Sequence, residues 1–273
     1  MDFNRVNEII YKTEKSIKEI GNFNKKDELY VGVDLGTAYI VLVVINKRKE
    51  PVACEMEYAQ VVRDGLVVDY IGALNIVKKL KTRLEERLGA KLYKAAIAVP
   101  PGTSNRDAKT HQYVVEGAGM EVVNIVDEPT AANAVLQIKN GVIVDIGGGT
   151  TGISVIKNSK VVHIADEATG GTHLSLVIAG SYKIKFEEAE YMKKDQNKQK
   201  ELLPIIRPVI QKIGTIINDN IKNYEVDHIY LVGGTSCFEK IEEIIEKETG
   251  IKTSKPLNPF LVTPLGIAMN CCP

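Results

Sequence analysis

One short phrase occurs twice in this chain of 273 residues. Val31-Gly32-Val33-Asp34-Leu35-Gly36-Thr37 in the first half is matched by Val142-Ile143-Val144-Asp145-Ile146-Gly147-Gly148-Gly149-Thr150 in the second. Each is a β-branched run ending in an aspartate, then a glycine turn, then a hydroxyl. β-Branched apolar runs favour buried strands. Glycines let the following backbone turn sharply and bring its N–H groups close to an anion. An aspartate at the strand end can hold a hydrated Mg2+, and a threonine can offer its hydroxyl to a phosphate oxygen. A single copy would fit a buried strand entering a hairpin, its aspartate a turn or cap residue. Two copies predict an internally duplicated protein with a nucleotide phosphate held between its halves.

The rest of the composition narrows the partners. With 44% hydrophobic and 26% charged residues, the chain can bury a core as one large domain or two modest lobes. Thirty-five basic residues balance thirty-five acidic ones, so no global field draws in nucleic acid or an anionic membrane. No apolar run is long enough to span a bilayer and there is no signal peptide, so a reducing, cytoplasmic setting is expected. Cys54, Cys237, Cys271 and Cys272 have no metal-ligand spacing and are expected to be thiols. His111, His163, His173 and His228 are scattered and form neither a catalytic triad nor a metal set, which leaves them structural or surface roles.

Periodicity orders the chain into α/β units. Residues 1–28 stand apart: Phe3, Val6, Ile9, Ile10, Ile17 and Ile20 recur at near-helical spacing, with Asp2 and Asn4 suited to cap the start and Gly21 to end it. Such a helix either packs on the body or docks on a partner. Strands are expected at 30–34, 40–45 and 51–59 with a turn at 46–49, then a helix over 67–88 ended by Gly89. Strand 95–99, helix 106–117, strand 122–126 and a helix from Pro129 follow. The pattern restarts at Gly141 with strands 141–145, 153–157 and 161–166, and then helices at 174–184, 186–194 and 201–220. The polar stretch 193–200 reads as an exposed turn. Strand 228–232, helix 238–249 and a closing segment 261–269 complete an α/β protein with mixed sheets. The expected domains are a first lobe over 29–140 and a second over 141–273, its last helix at 262–270 packing back toward the first.

Five ordered segments resemble the actin–Hsp70–sugar kinase superfamily of ATPases, a duplicated ribonuclease H-like (actin-like ATPase) fold. Asp34-Leu35-Gly36-Thr37 resembles its first phosphate loop, and Glu128-Pro129-Thr130-Ala131-Ala132-Asn133-Ala134 its first connecting helix. Asp145 to Thr151 resembles the second phosphate loop, Leu231-Val232-Gly233-Gly234-Thr235-Ser236 the adenosine motif, and Pro264-Leu265-Gly266-Ile267-Ala268 the second connecting helix. Within that group the chain resembles the EutJ family, the Hsp70-like proteins of ethanolamine utilisation, through Val62 to Asp69, Val99-Pro100-Pro101-Gly102-Thr103 and Gly170-Gly171-Thr172-His173-Leu174. A stretch like Asp64 to Asp69 also occurs in bacterial actin-like proteins.

The resemblance implies a set of roles. Gly36 and Thr37 in one loop and Gly147, Gly148, Gly149, Thr150 and Thr151 in the other would clamp the phosphates of ATP or ADP. Asp34 and Asp145 would hold Mg2+ through its waters. Glu128 would orient the attacking water, or serve as a helix-start acid. Gly233, Gly234 and Thr235 would pass close to the ribose, and Gly171 belongs to the glycine pair entering the second lobe's long helix. Glu190 and Lys193 would contact the ribose, or form a surface ion pair. The resemblance further implies no peptide-binding domain and a short outer subdomain at about 183–223. The lysine that assists hydrolysis in Hsp70 has no counterpart, so hydrolysis should be slow. An Mg-ATP switch with a chaperone-like role toward client proteins or components of a bacterial microcompartment is the leading expectation. A nucleotide-set actin-like scaffold is the alternative, and a small-molecule kinase a third. Oligomeric state stays open.

Overall fold

The computed structural model describes residues 2–63 and 65–273, so Asp64 of the Val62–Asp69 stretch lies outside the described residues. The chain divides into two compact units, one made of the chain up to Ile138 with Pro256–Pro273, the other of Lys139–Lys255.

The first unit opens with helix α1 (Phe3–Lys15), whose N-cap Asp2 accepts the N–H groups of Asn4 and Arg5. Strands β1 (Tyr30–Leu35), β2 (Tyr39–Ile45) and β3 (Pro51–Tyr58) form an antiparallel meander. A two-residue pair, β4 (Val62–Arg63) with β5 (Leu66–Val67), precedes α2 (Tyr70–Leu88). Then come β6 (Lys94–Val99), α3 (Asn105–Gly117), β7 (Glu121–Asp127) and α4 (Glu128–Leu136). The sheet order is β3-β2-β1-β6-β7, with β1, β6 and β7 parallel. Val77, Leu80, Leu84 and Leu88, at helical spacing on α2, belong to one core with Val31, Val33 and Ile97 of the sheet.

The second unit repeats that plan. It runs β8 (Gly141–Ile146), β9 (Thr151–Lys157), β10 (Lys160–Glu167), α5 (Gly171–Tyr182), α6 (Phe186–Lys194), α7 (Gln196–Ile221) and β11 (His228–Val232). A 3-10 turn (Gly234–Cys237), α8 (Ile241–Thr249) and β12 (Lys252–Ser254) follow. Its order, β10-β9-β8-β11-β12, matches the first sheet strand for strand. Ile206, Ile210, Ile213 and Ile217 of α7 share a core with Val142 and Val144. The chain then returns through a second 3-10 turn (Pro259–Leu261) to α9 (Val262–Cys271), a helix of the first unit. Glycines permit its close approach: a Cβ on Gly266 would lie 1.8 Å from the Ala131 carbonyl oxygen of α4, and one on Gly32 would lie 2.3 Å from Ala268 N.

Local chemistry corrects several expected boundaries. Val67 pairs in β5, and α2 starts only after Asp69, whose carboxylate accepts the Gly72 N–H at 2.9 Å. α1 stops at Lys15 rather than at Gly21; Gly21 instead donates to Val52 O at 2.7 Å, beside Pro51, where a side chain has no room. The stretch 193–200 is no exposed turn, because α6 reaches Lys194, Asp195 caps α7, and Gln199 is buried. The helix expected from Phe238 begins at Ile241, after the 3-10 turn. Among the four histidines, His111 is buried. Cys54 and Cys271 are buried thiols, and burial pushes each up to about 12.

Candidate functional site

In the second unit the glycine loop is braced from behind. Gly147 N–H donates to Thr150 O at 3.0 Å, closing the turn between β8 and β9. Gly171 N–H donates to Gly147 O at 2.9 Å and Thr172 N–H to Gly148 O at 2.8 Å. Thr172 Oγ1 donates to the same Gly148 oxygen at 2.8 Å, and Thr235 Oγ1 to Gly147 O at 2.7 Å. The carbonyls of Gly147 and Gly148 are therefore turned toward the α5 start and the 3-10 turn. In a planar trans peptide the N–H points opposite to the C=O, so the N–H groups of Gly148 and Gly149 face away from that packing. Successive N–H groups presented this way make an anion-binding concavity. The 12-residue helix α5 adds the positive end of its dipole behind the loop.

The strand ends complete this arrangement. Asp145 pairs with Val232, the last residue of β11. Gly233 follows with φ +87, and a Cβ there would lie 2.2 Å from Asp145 Oδ1. Glycine alone lets the chain pass that carboxylate and enter the turn opened by Gly234. Two expected phosphate or ribose contacts turn inward instead. Thr151 is fully buried and donates to Thr169 O at 2.6 Å, and the Thr235 hydroxyl is the brace just described.

Glu190 and Lys193 do not form a surface pair. Glu190 is 8% exposed, and Lys193 Nζ donates to it, to Ser175 Oγ at 2.7 Å and to Gly171 O at 2.9 Å. Ser175 donates in turn to Glu190. Burial alone would raise the Glu190 pKa, but the charge and hydrogen bond of Lys193, joined by the Ser175 hydroxyl and the Lys194 charge, hold it below the usual carboxylate range. Burial pulls Lys193 down, against the attraction of Glu190. The cluster ties the first turn of α5 to α6, and through Gly171 it reaches the glycine loop. Ser175 is the member that motif comparison misses. Its position four residues after Gly171, on the inward face of α5, is the signal that marks it.

The first-unit candidates gather at the corresponding sheet edge. Gly36 N–H donates to Tyr39 O at 3.0 Å, the same hairpin bond as in the other loop, with Thr37 half-buried inside it. Because β1, β6 and β7 run parallel, Asp34 and Asp127 end at one edge, two strands or roughly 10 Å apart. Asp127 caps α4, accepting the Thr130 N–H and hydroxyl at 2.8 Å each. Glu128, the next residue, is the acidic residue of the first turn of α4, the helix-start position expected as its alternative role. Both sets lie at the C-terminal ends of parallel strands, where open α/β sheets bind ligands. Among the described residues no three His, Cys, Asp or Glu side chains are grouped to hold a metal.

Two sheets of one order, each with a glycine loop after its first strand, are the mark of the actin-like ATPase fold. MreB5 of Spiroplasma citri bound to ADP shares it at a TM-score of 0.72 and 17% identity, over 89% of this chain and 95% of that one. Residues 109–268 match the family model for Type IV pilus assembly protein PilM. The ethanolamine utilization protein EutJ of Escherichia coli K12 is 40% identical over 241 residues, 88% of this chain and 85% of its own. The crystal structure of EutJ from Carboxydothermus hydrogenoformans has a TM-score of 0.94 and 47% identity, over 98% of this chain and 99% of that one. The chain belongs to the EutJ family of ethanolamine utilisation and, through residues 109–268, to the wider family that the PilM model describes. No helix among the described residues is long and apolar enough to cross a membrane.

Proposed function

We propose that this protein is an Mg-ATP-binding switch and slow ATPase with a chaperone-like role toward client proteins of ethanolamine utilisation, microcompartment components included. The observation that carries this reading is the inward tethering of the Gly147 and Gly148 carbonyls, which aims the next two N–H groups outward beside Asp145. Gly36, Thr37, Gly147, Gly148, Gly149 and Thr150 hold the phosphates, and Gly233 and Gly234 admit the ribose. Asp34 and Asp145 hold Mg2+ through water, and the metal neutralises phosphate charge when bound. Glu128 orients the attacking water. Glu190 and Lys193 act on the ribose side chiefly by holding the α5 start. The ADP carried by MreB5 supports the nucleotide class.

Calorimetric titration with Mg-ATP beside phosphate release tests it. The wild type should bind and turn over slowly, and Asp145→Asn should lose turnover by about 100-fold or more. Absence of ATP and ADP binding with Mg2+ present would sink the reading. The match to a pilus-assembly family favours a second one, a scaffold whose assembly is set by nucleotide. Sedimentation with and without ATP separates them, since filaments pellet and a monomeric switch does not.

A further inference from the structure

The chain passes between its two units at two places, Ile138–Lys139 and Lys255–Pro256. On the first unit's side, both passages are held by α1. Arg5 Nη2 donates to Val135 O at 2.6 Å, in the last turn of α4, where a cation also meets the negative end of the helix. Just beyond it the Asn133 amide brackets Ile138, accepting its N–H at 2.9 Å and donating to its carbonyl at 3.3 Å. At the other passage Asn7 Oδ1 accepts the Leu257 N–H at 2.8 Å, and Glu14 accepts from Asn258 Nδ2 at 3.3 Å. Asn7 and Glu14 lie two turns apart on one face of the helix.

Docking α1 does not depend on these bonds. Val6, Ile10 and Thr13 are buried, and the segment after the helix extends the β3 edge through Cys54 N–H to Ser16 O at 3.1 Å and Gly21 N–H to Val52 O at 2.7 Å. Arg87 Nη2 adds a bond to Ser16 O at 3.0 Å. An apolar face and an edge pairing are enough to seat the helix. Three of its polar side chains, Arg5, Asn7 and Glu14, are directed at the two places where the chain changes unit.

We propose that α1 is a clasp that stiffens both links between the units at once. The proposal stands apart from the nucleotide reading and is tested without nucleotide, by hydrogen exchange on the full chain. In Arg5→Ala/Asn7→Ala, the amides at 135–139 and those of Lys255, Leu257 and Asn258 should both exchange about tenfold faster, the factor that a lost hydrogen bond of ordinary strength gives. Amides of α1, β1 and β8 should keep their wild-type rates. A rise confined to α1, a rise at one passage only, no rise at all, or equal acceleration throughout the first unit would each overturn it. Ile10→Asp, which undocks the whole helix, should free both passages and the Cys54 amide. Loss of α1 protection in that variant with both passages at wild-type rates would refute the clasp.

Discussion

The two glycine loops share a sequence phrase and a hairpin bond, yet they are held differently. Gly36–Tyr39 and Gly147–Thr150 close at the same 3.0 Å. Around the first, Tyr39 packs edge-on against Tyr58 and Phe260, and β1 lies on α9 through Gly32. Around the second, the α5 start and the 3-10 turn bond to the loop's own carbonyls. The phrase therefore specifies the turn, and the elements behind it specify which way the peptides face. The direction of these peptide groups is a property of the second unit's packing as much as of its glycines.

That contrast can be broken at three depths. The largest effect should come from Lys193→Met, which leaves the buried Glu190 carboxylate only Ser175 and the more exposed Lys194 at 3.5 Å, and should destabilise the second unit by about 3 kcal/mol in denaturant unfolding. Adding Glu190→Gln should recover most of the loss; no recovery would mean that Lys193 matters for packing alone. Gly233→Ala comes next, at about 2 kcal/mol, because of its positive φ and the clash with Asp145. Gly36→Ala, whose Cβ would lie 2.9 Å from Tyr39 O, should cost about 1 kcal/mol. Gly147 holds the matching hairpin position, and a Cβ there would lie 3.5 Å from Thr150 O, so Gly147→Ala should cost less; equal costs at Gly36 and Gly147 would erase the distinction between the loops.

The smallest effect concerns acid. Glu85 of α2, a paired carboxylate of the first unit, meets Lys81 and Lys91 at 2.8 Å each and the Leu92 N–H at 3.0 Å. Burial opposes its ionisation, but these partners prevail and bring it down to about 2. A folded pKa below the unfolded one stabilises above about pH 4.5. That contribution is lost as pH falls through the folded value near 2. Glu85→Gln should lower stability at pH 7 by about 0.5 kcal/mol, allowing for solvent screening, and flatten the profile between pH 4.5 and 2. An unchanged acid limb would assign the acid sensitivity to other carboxylates.

β4, β5 and β12, two or three residues each, carry no β-branched run, but the longer strands and the loops were legible in the sequence because such runs and glycines act locally. Asp34, Asp145 and Gly233 could be picked out for that reason. The buried state of Glu190 and Lys193 could not, since an i, i+3 pair looks the same on either face of a helix. Asp195 carries its cap signal only once α6 is known to end at Lys194. The inward turn of the Thr151 and Thr235 hydroxyls depends on Thr169 and Gly147, which are respectively 18 and 88 residues away. The attachments of α1 are more distant still, with Asn7 meeting a residue 250 positions along the chain.

The return of α9 to the first unit sets an order for folding during synthesis. Val262 to Met269 are all buried, and α9 fills the place between β1 and α4. The second unit is continuous from Lys139 to Lys255 and can close as soon as that stretch has left the ribosome. The first unit is begun earlier and finished later. Its sheet must wait, with an apolar face uncovered, through the translation of the entire second unit, and that interval is when a nascent chain most needs protection from aggregation.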